Sequence, residues 1–189
     1  MRFTSLLQIK TSALLFFTQS ITAKPCPHCS HNYTVKRHGS LYGVDLYKPE
    51  ALRRGIRFYC SNRYSNRGCG RTFSIHFNTV IPYQSVNAEL LSSFFRKLLE
   101  SRSVHQAWHD SSVPFSLRCA YRWVKKFTLN LPSLRHKLHR LLKSLPLTEN
   151  SIELETISIL SDLFPSPNFL AAAQLELQVP ILHSSVSPS

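Results

Sequence analysis

Two pairs of cysteines constrain this chain more than any other feature. Cys26-Pro27-His28-Cys29 is a tight turn that presents two sulfurs to one point, as a tetrahedral thiolate metal site requires. Cys60 and Cys69 are spaced more widely, around the insert "SNRYSNRG". That insert is turn-rich, so it can loop outward while its ends stay close, and loop closure grows costly only slowly with length. Between the pairs, Tyr33–Lys36 and Ile56–Tyr59 favour strands, and Thr72–Phe77 alternates with period two. Three short strands with thiols at two turns describe a zinc ribbon, with Zn²⁺ held by Cys26, Cys29, Cys60 and Cys69. The competing readings are two disulfides or four unrelated buried thiols. His28, His31 and His38 compete for a ligand position, but the cysteines already supply four sulfurs. The fifth cysteine, Cys119, reads as a plain helix residue.

Beyond Pro82 the periodicity changes to helical. Leu90, Leu91, Phe94, Phe95, Leu98 and Leu99 share one side of a helix with Asn87 as N-cap. Ser103–Gln106 has the form of a capping box that starts a second helix. "DSSVP" is a turn, and a third helix is expected over about Ser116–Phe127. With Leu117 at zero, Ala120, Trp123, Val124 and Phe127 fall at roughly 240–340° around that helix. Arg118, Arg122, Lys125 and Lys126 fall opposite, at roughly 80–180°. A helix with one apolar and one cationic face, last of three, fits a helix-turn-helix reader of the major groove. The competing reading is an ordinary surface helix with solvated cations. Pro132 and Ser133 then predict a separate fourth helix with a leucine seam, closed by Pro146, which could pack on the third helix, pair between chains or add phosphate contacts. A homodimer could form through residues 131–147 or through the C-terminal tail.

The chain is 189 residues long, with net charge +13 distributed unevenly. Residues 1–147 hold all 23 Lys and Arg against five acids, 23 − 5 = +18; residues 148–189 hold five acids and no Lys or Arg, −5. This reads as a polyanion-binding body with an acidic, apolar tail. The cations lie in segments that read as folded and aromatic-containing, which favours nucleic acid over membrane. Arg63, Arg67 and Arg71, around the second cysteine pair, join the helical cations as candidate DNA contacts. Acids are sparse and widely separated, and no Ser-His-Asp pattern or Gly-rich phosphate cradle is visible, so no catalytic residue is assigned. Arg2, the apolar run Ala13–Phe17 and "SITA" imitate a secretory signal, but the apolar core is short. A short helix or a poorly ordered start is the favoured reading of residues 1–23, and a cytoplasmic, nucleoid-associated location follows.

In that order, "CPHC", "VKRHG", "RFYC" and "CGRTFS" resemble the amino-terminal zinc ribbons of bacterial insertion-sequence transposases and their accessory proteins. Phage late-gene activators with a four-cysteine finger are a more distant likeness. The likeness covers about residues 24–78, and "SVHQAWHD…SLRCAYRWVKKF" resembles the helix-turn-helix that follows the ribbon in the same family. The chain departs in the long insert before Cys69 and in Ser30, where a glycine often follows the first knuckle. About 60 residues remain after the helices, too few for the nuclease-like catalytic domain the resemblance implies.

The expectation is therefore an α+β chain: an N-terminal segment, 1–23; a three-stranded zinc ribbon, 24–80; an all-α helix-turn-helix module, 84–130; a basic amphipathic helix, 131–147; and an acidic, apolar, partly disordered tail, 148–189. In that tail "SIELETISILSDLF" suggests a helix, while "PSPN" and the Ser/Pro-rich end suggest loose chain. The expected function is sequence-specific binding of double-stranded DNA by an accessory factor or truncated transposase. The alternative is an RNA- or ribosome-associated zinc protein, with Tyr42, Tyr47, Tyr59 and Tyr64 stacking on bases.

Overall fold

The computed structural model describes residues 7–9, 21–45, 48–63, 67–82, 84, 86–112, 114–142 and 151–182. The chain divides into two units, Met1–Val80 and Ile81–Ser189.

The first unit is a sheet. Strands β2 (Val35–Asp45) and β3 (Lys48–Cys60) form a long antiparallel hairpin, and β4 (Thr72–Phe77) lies antiparallel against β3. Val35 faces Cys60 in the register, so the hairpin brings the start of β2 back to the second cysteine pair. Alternation sorts the side chains: Ile56, Phe58 and Cys60 are buried with Val35, Ile75 and Phe77, whereas Arg57 is exposed. Phe58 and Phe73, opposite one another, stack at 5.6 Å between ring centres. Gly55 is required where β3 meets β4, because a Cβ there would lie 2.2 Å from the Ile75 carbonyl oxygen.

The segment before the cysteines differs from expectation. Leu7–Ile9 forms a further strand, β1, paired parallel with β4, and Ile21 is buried in the ribbon core. The ordering thus extends past the three strands anticipated. Three residues are too few to show a strand pattern in sequence, and their backbone bonds come from β4.

The second unit is helical. Helix α1 spans Ala88–Ser101, α2 Val104–Asp110 and α3 Leu117–Leu142. Asn87 caps α1 by accepting from the Leu90 amide at 2.8 Å. Ser103 accepts from the Gln106 amide, but the return bond of a capping box is not made: the Gln106 side chain donates to Asp110 instead. The break expected at Pro132 is also absent, since α3 runs through it. Leu131, Leu134 and Leu138 bury on the same side as Ala120, Trp123 and Phe127. Burying three leucines, at about 1.5–3 kcal/mol each, outweighs the roughly 3 kcal/mol cost of an interior proline.

The acidic C-terminal segment is not a loose tail through residue 182. It forms α4 (Ile152–Leu163) and α5 (Phe169–Leu177), which supply Ile157, Leu160, Phe169, Leu170 and Ala173 to the core of α1 and α3. Arg96 of α1 donates to the carbonyls of Ser166 and Pro167 and lies over the Phe169 ring. Asn130 donates to the Ile181 carbonyl, and Gln84 bonds both Trp123 Nε1 and the Leu182 carbonyl. The helix that "SIELETISILSDLF" suggests is present as α4. Helix α5 and the packing of both on the core are not read from periodicity, because α4 and α5 are apolar on several sides rather than along one stripe. Lys143, Leu145, Pro146 and residues 183–189 lie outside the described residues, as do Tyr47 and Tyr64.

Candidate metal centre and nucleic-acid interface

The two cysteine pairs converge at the base of the hairpin. The four Sγ atoms of Cys26, Cys29, Cys60 and Cys69 all lie within 4.8 Å of one another. Cys26 and Cys69 approach to 3.9 Å, Cys29 and Cys60 to 3.6 Å. Four sulfurs at about 2.3 Å from a central ion sit about 3.8 Å apart along a tetrahedral edge, so these spacings fit a four-coordinate ion. All five cysteines are free thiols, and Cys119 stands apart from the cluster, beside Ser116. None of His28, His31 or His38 joins it: His28 reaches the Thr72 carbonyl, His31 that of Cys29, and His38 packs edge-on against Tyr59.

Backbone geometry builds both turns. The Ser30 amide donates to the Cys26 carbonyl at 2.8 Å and the Cys26 amide to the His31 carbonyl at 2.9 Å. At the second turn the Gly68 amide donates to the Ser61 carbonyl at 3.0 Å and the Gly70 amide to the Cys60 carbonyl at 3.0 Å. The insert is therefore pinched at its neck, which lets Cys60 and Cys69 meet despite their separation. Gly68 is obligatory there, because a Cβ would lie 2.1 Å from the Ser61 carbonyl oxygen. Gly70 adopts φ +72°, a left-handed conformation that favours glycine.

The polar surroundings of the sulfurs are unequal. Burial pushes the Cys26 thiol up to about 12, against the amides of His28 and Cys29. Burial also raises Cys69. At Cys60 burial acts upward too, but the Thr34 hydroxyl, the Cys69 amide and the thiols of Cys26 and Cys29 outweigh it and bring the group down to about 7. Thr34 Oγ1 lies 3.1 Å from Cys60 Sγ, and the Cys69 amide donates to the same sulfur at 3.2 Å. These surroundings favour ionisation at Cys60 over Cys26 and Cys69. Further ionisation would bring like charges together at van der Waals distance, a cost that a cation at the centre removes. Thr34 was not apparent from the sequence; a threonine opening a strand carries no signal of its contact with a cysteine 26 positions away.

The candidate DNA contacts fall on two separate units. On α3, Arg118, Arg122 and Lys125 are exposed and Lys126 is half-buried, opposite the buried Ala120, Trp123 and Phe127. Val124 is only half-buried, at the margin of the core. No acid occurs anywhere in α3, and the cations continue through Lys137 and Arg140. Arg135 is the exception: it turns to the buried Glu155 of α4 at 2.8 Å. Of the uses left open for the leucine seam, Leu134 and Leu138 take internal packing: both are buried in this unit's own core. In the ribbon, Arg63, Arg67 and Arg71 are all exposed around the pinched insert.

Counting charge by unit revises the body-and-tail picture. Residues 1–80 hold 12 Lys and Arg against two acids, 12 − 2 = +10; residues 81–189 hold 11 against eight, 11 − 8 = +3. The acidic segment belongs to the helical unit, so most of the net positive charge resides in the ribbon. No described helix is long and apolar enough to cross a membrane. No protein-family model, curated protein or solved structure matches the chain.

Proposed function

We propose that the protein is a zinc-dependent, sequence-specific binder of duplex DNA without a catalytic centre of its own, an accessory factor or truncated transposase. The observation that carries this reading is the division of α3, whose buried face holds the helical core while its acid-free opposite face presents Arg118, Arg122 and Lys125. In the order α1, α2, turn, α3, that face would enter the major groove as the last helix of a helix-turn-helix. Arginines near the start of α3 are suited to bidentate contacts with guanine, and the later cations to phosphate.

Zn²⁺ would be held by Cys26, Cys29, Cys60 and Cys69. It would act as a structural cross-link, because four protein sulfurs leave no open position for chemistry. Among the described residues, eight buried hydrophobic side chains make up the ribbon core, a small cluster, and metal binding supplies about 10–16 kcal/mol in comparable small sites.

The test combines metal analysis with duplex titration. One zinc per chain is expected, lost on substitution of any of the four cysteines and retained in Cys119→Ser. With about six phosphate contacts, log affinity should fall against log salt with a slope near −5. Arg118→Ala should cost about 1–3 kcal/mol on a preferred site, whereas Lys126→Ala should weaken all duplexes alike. Metal-free protein of unchanged fold, or salt-insensitive binding, would overturn the reading.

A further inference from the structure

We propose that the outer face of the ribbon sheet is a platform for single-stranded nucleic acid, with Tyr59 as the stacking surface and Lys36 and Arg57 as phosphate contacts. The proposal rests on reading the chain as a nucleic-acid binder, but not on the role of α3.

The register assembles the platform. Lys36 of β2, Tyr59 of β3 and Thr72 of β4 lie side by side in one row across the strands. The next row on the same face is Gly39, Arg57 and Ser74. Strand alternation sends the intervening Phe58 and Phe73 to the buried face. On the outer face Lys36, Arg57 and Thr72 are exposed, and Tyr59 and Ser74 are half-buried.

Three features of this face select its ligand. Its neighbours around Tyr59 are small or flexible, and a Cβ at Gly39 would meet nothing within 4 Å, so the surface there stays low. His38 and Tyr59 meet in a T-shaped contact at 5.8 Å between ring centres, while the row partners Lys36 and Thr72 are exposed. The surrounding unit carries +10, and among the described residues neither Lys36 nor Arg57 is in an ion pair. A duplex hides the faces of its bases, so an aromatic on a flat sheet gains little from it. An unpaired strand offers base faces to Tyr59 while its phosphates, spaced along the backbone, meet the flanking cations. Thr72 and Ser74 add hydroxyls beside the stacked base, at the level of its edge.

The experiment titrates the full-length, metal-loaded chain with dT20, with U20 and with a 20-base-pair duplex. Tyr59→Ala should lose about 5- to 100-fold in affinity for the single strands while its duplex affinity stays within twofold. Tyr59→Phe should retain single-strand binding. Arg57→Glu, at an exposed position, should weaken single-strand binding at least about tenfold and flatten its salt dependence. Comparison of dT20 with U20 tells DNA from RNA as the source of the strand. Wild-type affinity in both Tyr59→Ala and Arg57→Glu, or equal losses on duplex and single strand, would overturn the platform. Should Tyr59→Ala lose its metal, Arg57→Glu decides alone. Arg118→Ala should alter only duplex binding, so failure of the α3 reading and failure of this one are separable.

Discussion

Ser30 follows the first cysteine pair with φ 60°, a left-handed conformation that costs a non-glycine residue about 1–2 kcal/mol. Glycine adopts this backbone conformation without that steric penalty. Glycine pays back about 0.5–1 kcal/mol in chain entropy, so Ser30→Gly should stabilise the ribbon by up to about 1 kcal/mol, read as a higher urea midpoint of the metal-loaded unit. An unchanged or lower midpoint would mean that the serine side chain compensates locally. Thr34 bears on the metal centre itself. Its hydroxyl lies 3.2 Å from the His31 carbonyl and 3.1 Å from Cys60 Sγ, so its single proton can be given to either and the side chain links the first turn to the third sulfur. Thr34→Val should lower metal affinity about 10- to 100-fold in competition with a chelator, as loss of a supporting contact does at other sites. Equal affinity would show that the hydroxyl serves only the His31 carbonyl.

Among the elements, α4 and α5 change the account most. Ending the chain at residue 150 removes Ile157, Leu160, Phe169, Leu170, Ile181 and Leu182 from the helical core, all fully or almost fully buried. Far-UV circular dichroism of that shortened chain should therefore lose helix well beyond the residues deleted, while its metal content stays that of the full chain. Retention of the α1–α3 signal would return the segment to the status of a tail. The elements that were legible share one property: their signal is local. The cysteine spacing, the alternation of Thr72–Phe77, the cap at Asn87 and the two faces of Leu117–Phe127 can each be read within a dozen residues. What was not legible depends on partners distant in sequence. Pro132 reads as a boundary until Leu134 and Leu138 are seen to bury with Phe127, and the Ser/Pro-rich link before Asn168 reads as loose until Arg96 binds its carbonyls. Of the candidate site, the four sulfurs could be named from spacing, but Thr34 and the pinch at Ser61–Gly68 needed the hairpin to bring them together.

At the scale of the whole molecule, each unit has a hydrophobic core of its own. Only one of them contains the cysteine cluster, so metal should stabilise one unit and not the other. Chelation should abolish the strand signal and leave the helical spectrum, and heating should resolve two transitions of which only one responds to added zinc. A single transition that zinc shifts as a whole would contradict this. The edge strand β1 carries a different consequence. A sheet ending at β4 would present a row of unsatisfied amides and carbonyls, a template onto which another copy can add. By lying along Ile75–Phe77, Leu7–Ile9 occupies the second half of that row. The stretch that imitates a leader thus has a second capacity, as a guard: a chain begun at residue 21 would keep every cysteine and still become sticky, clumping through its own exposed edge rather than through any failure of its metal centre.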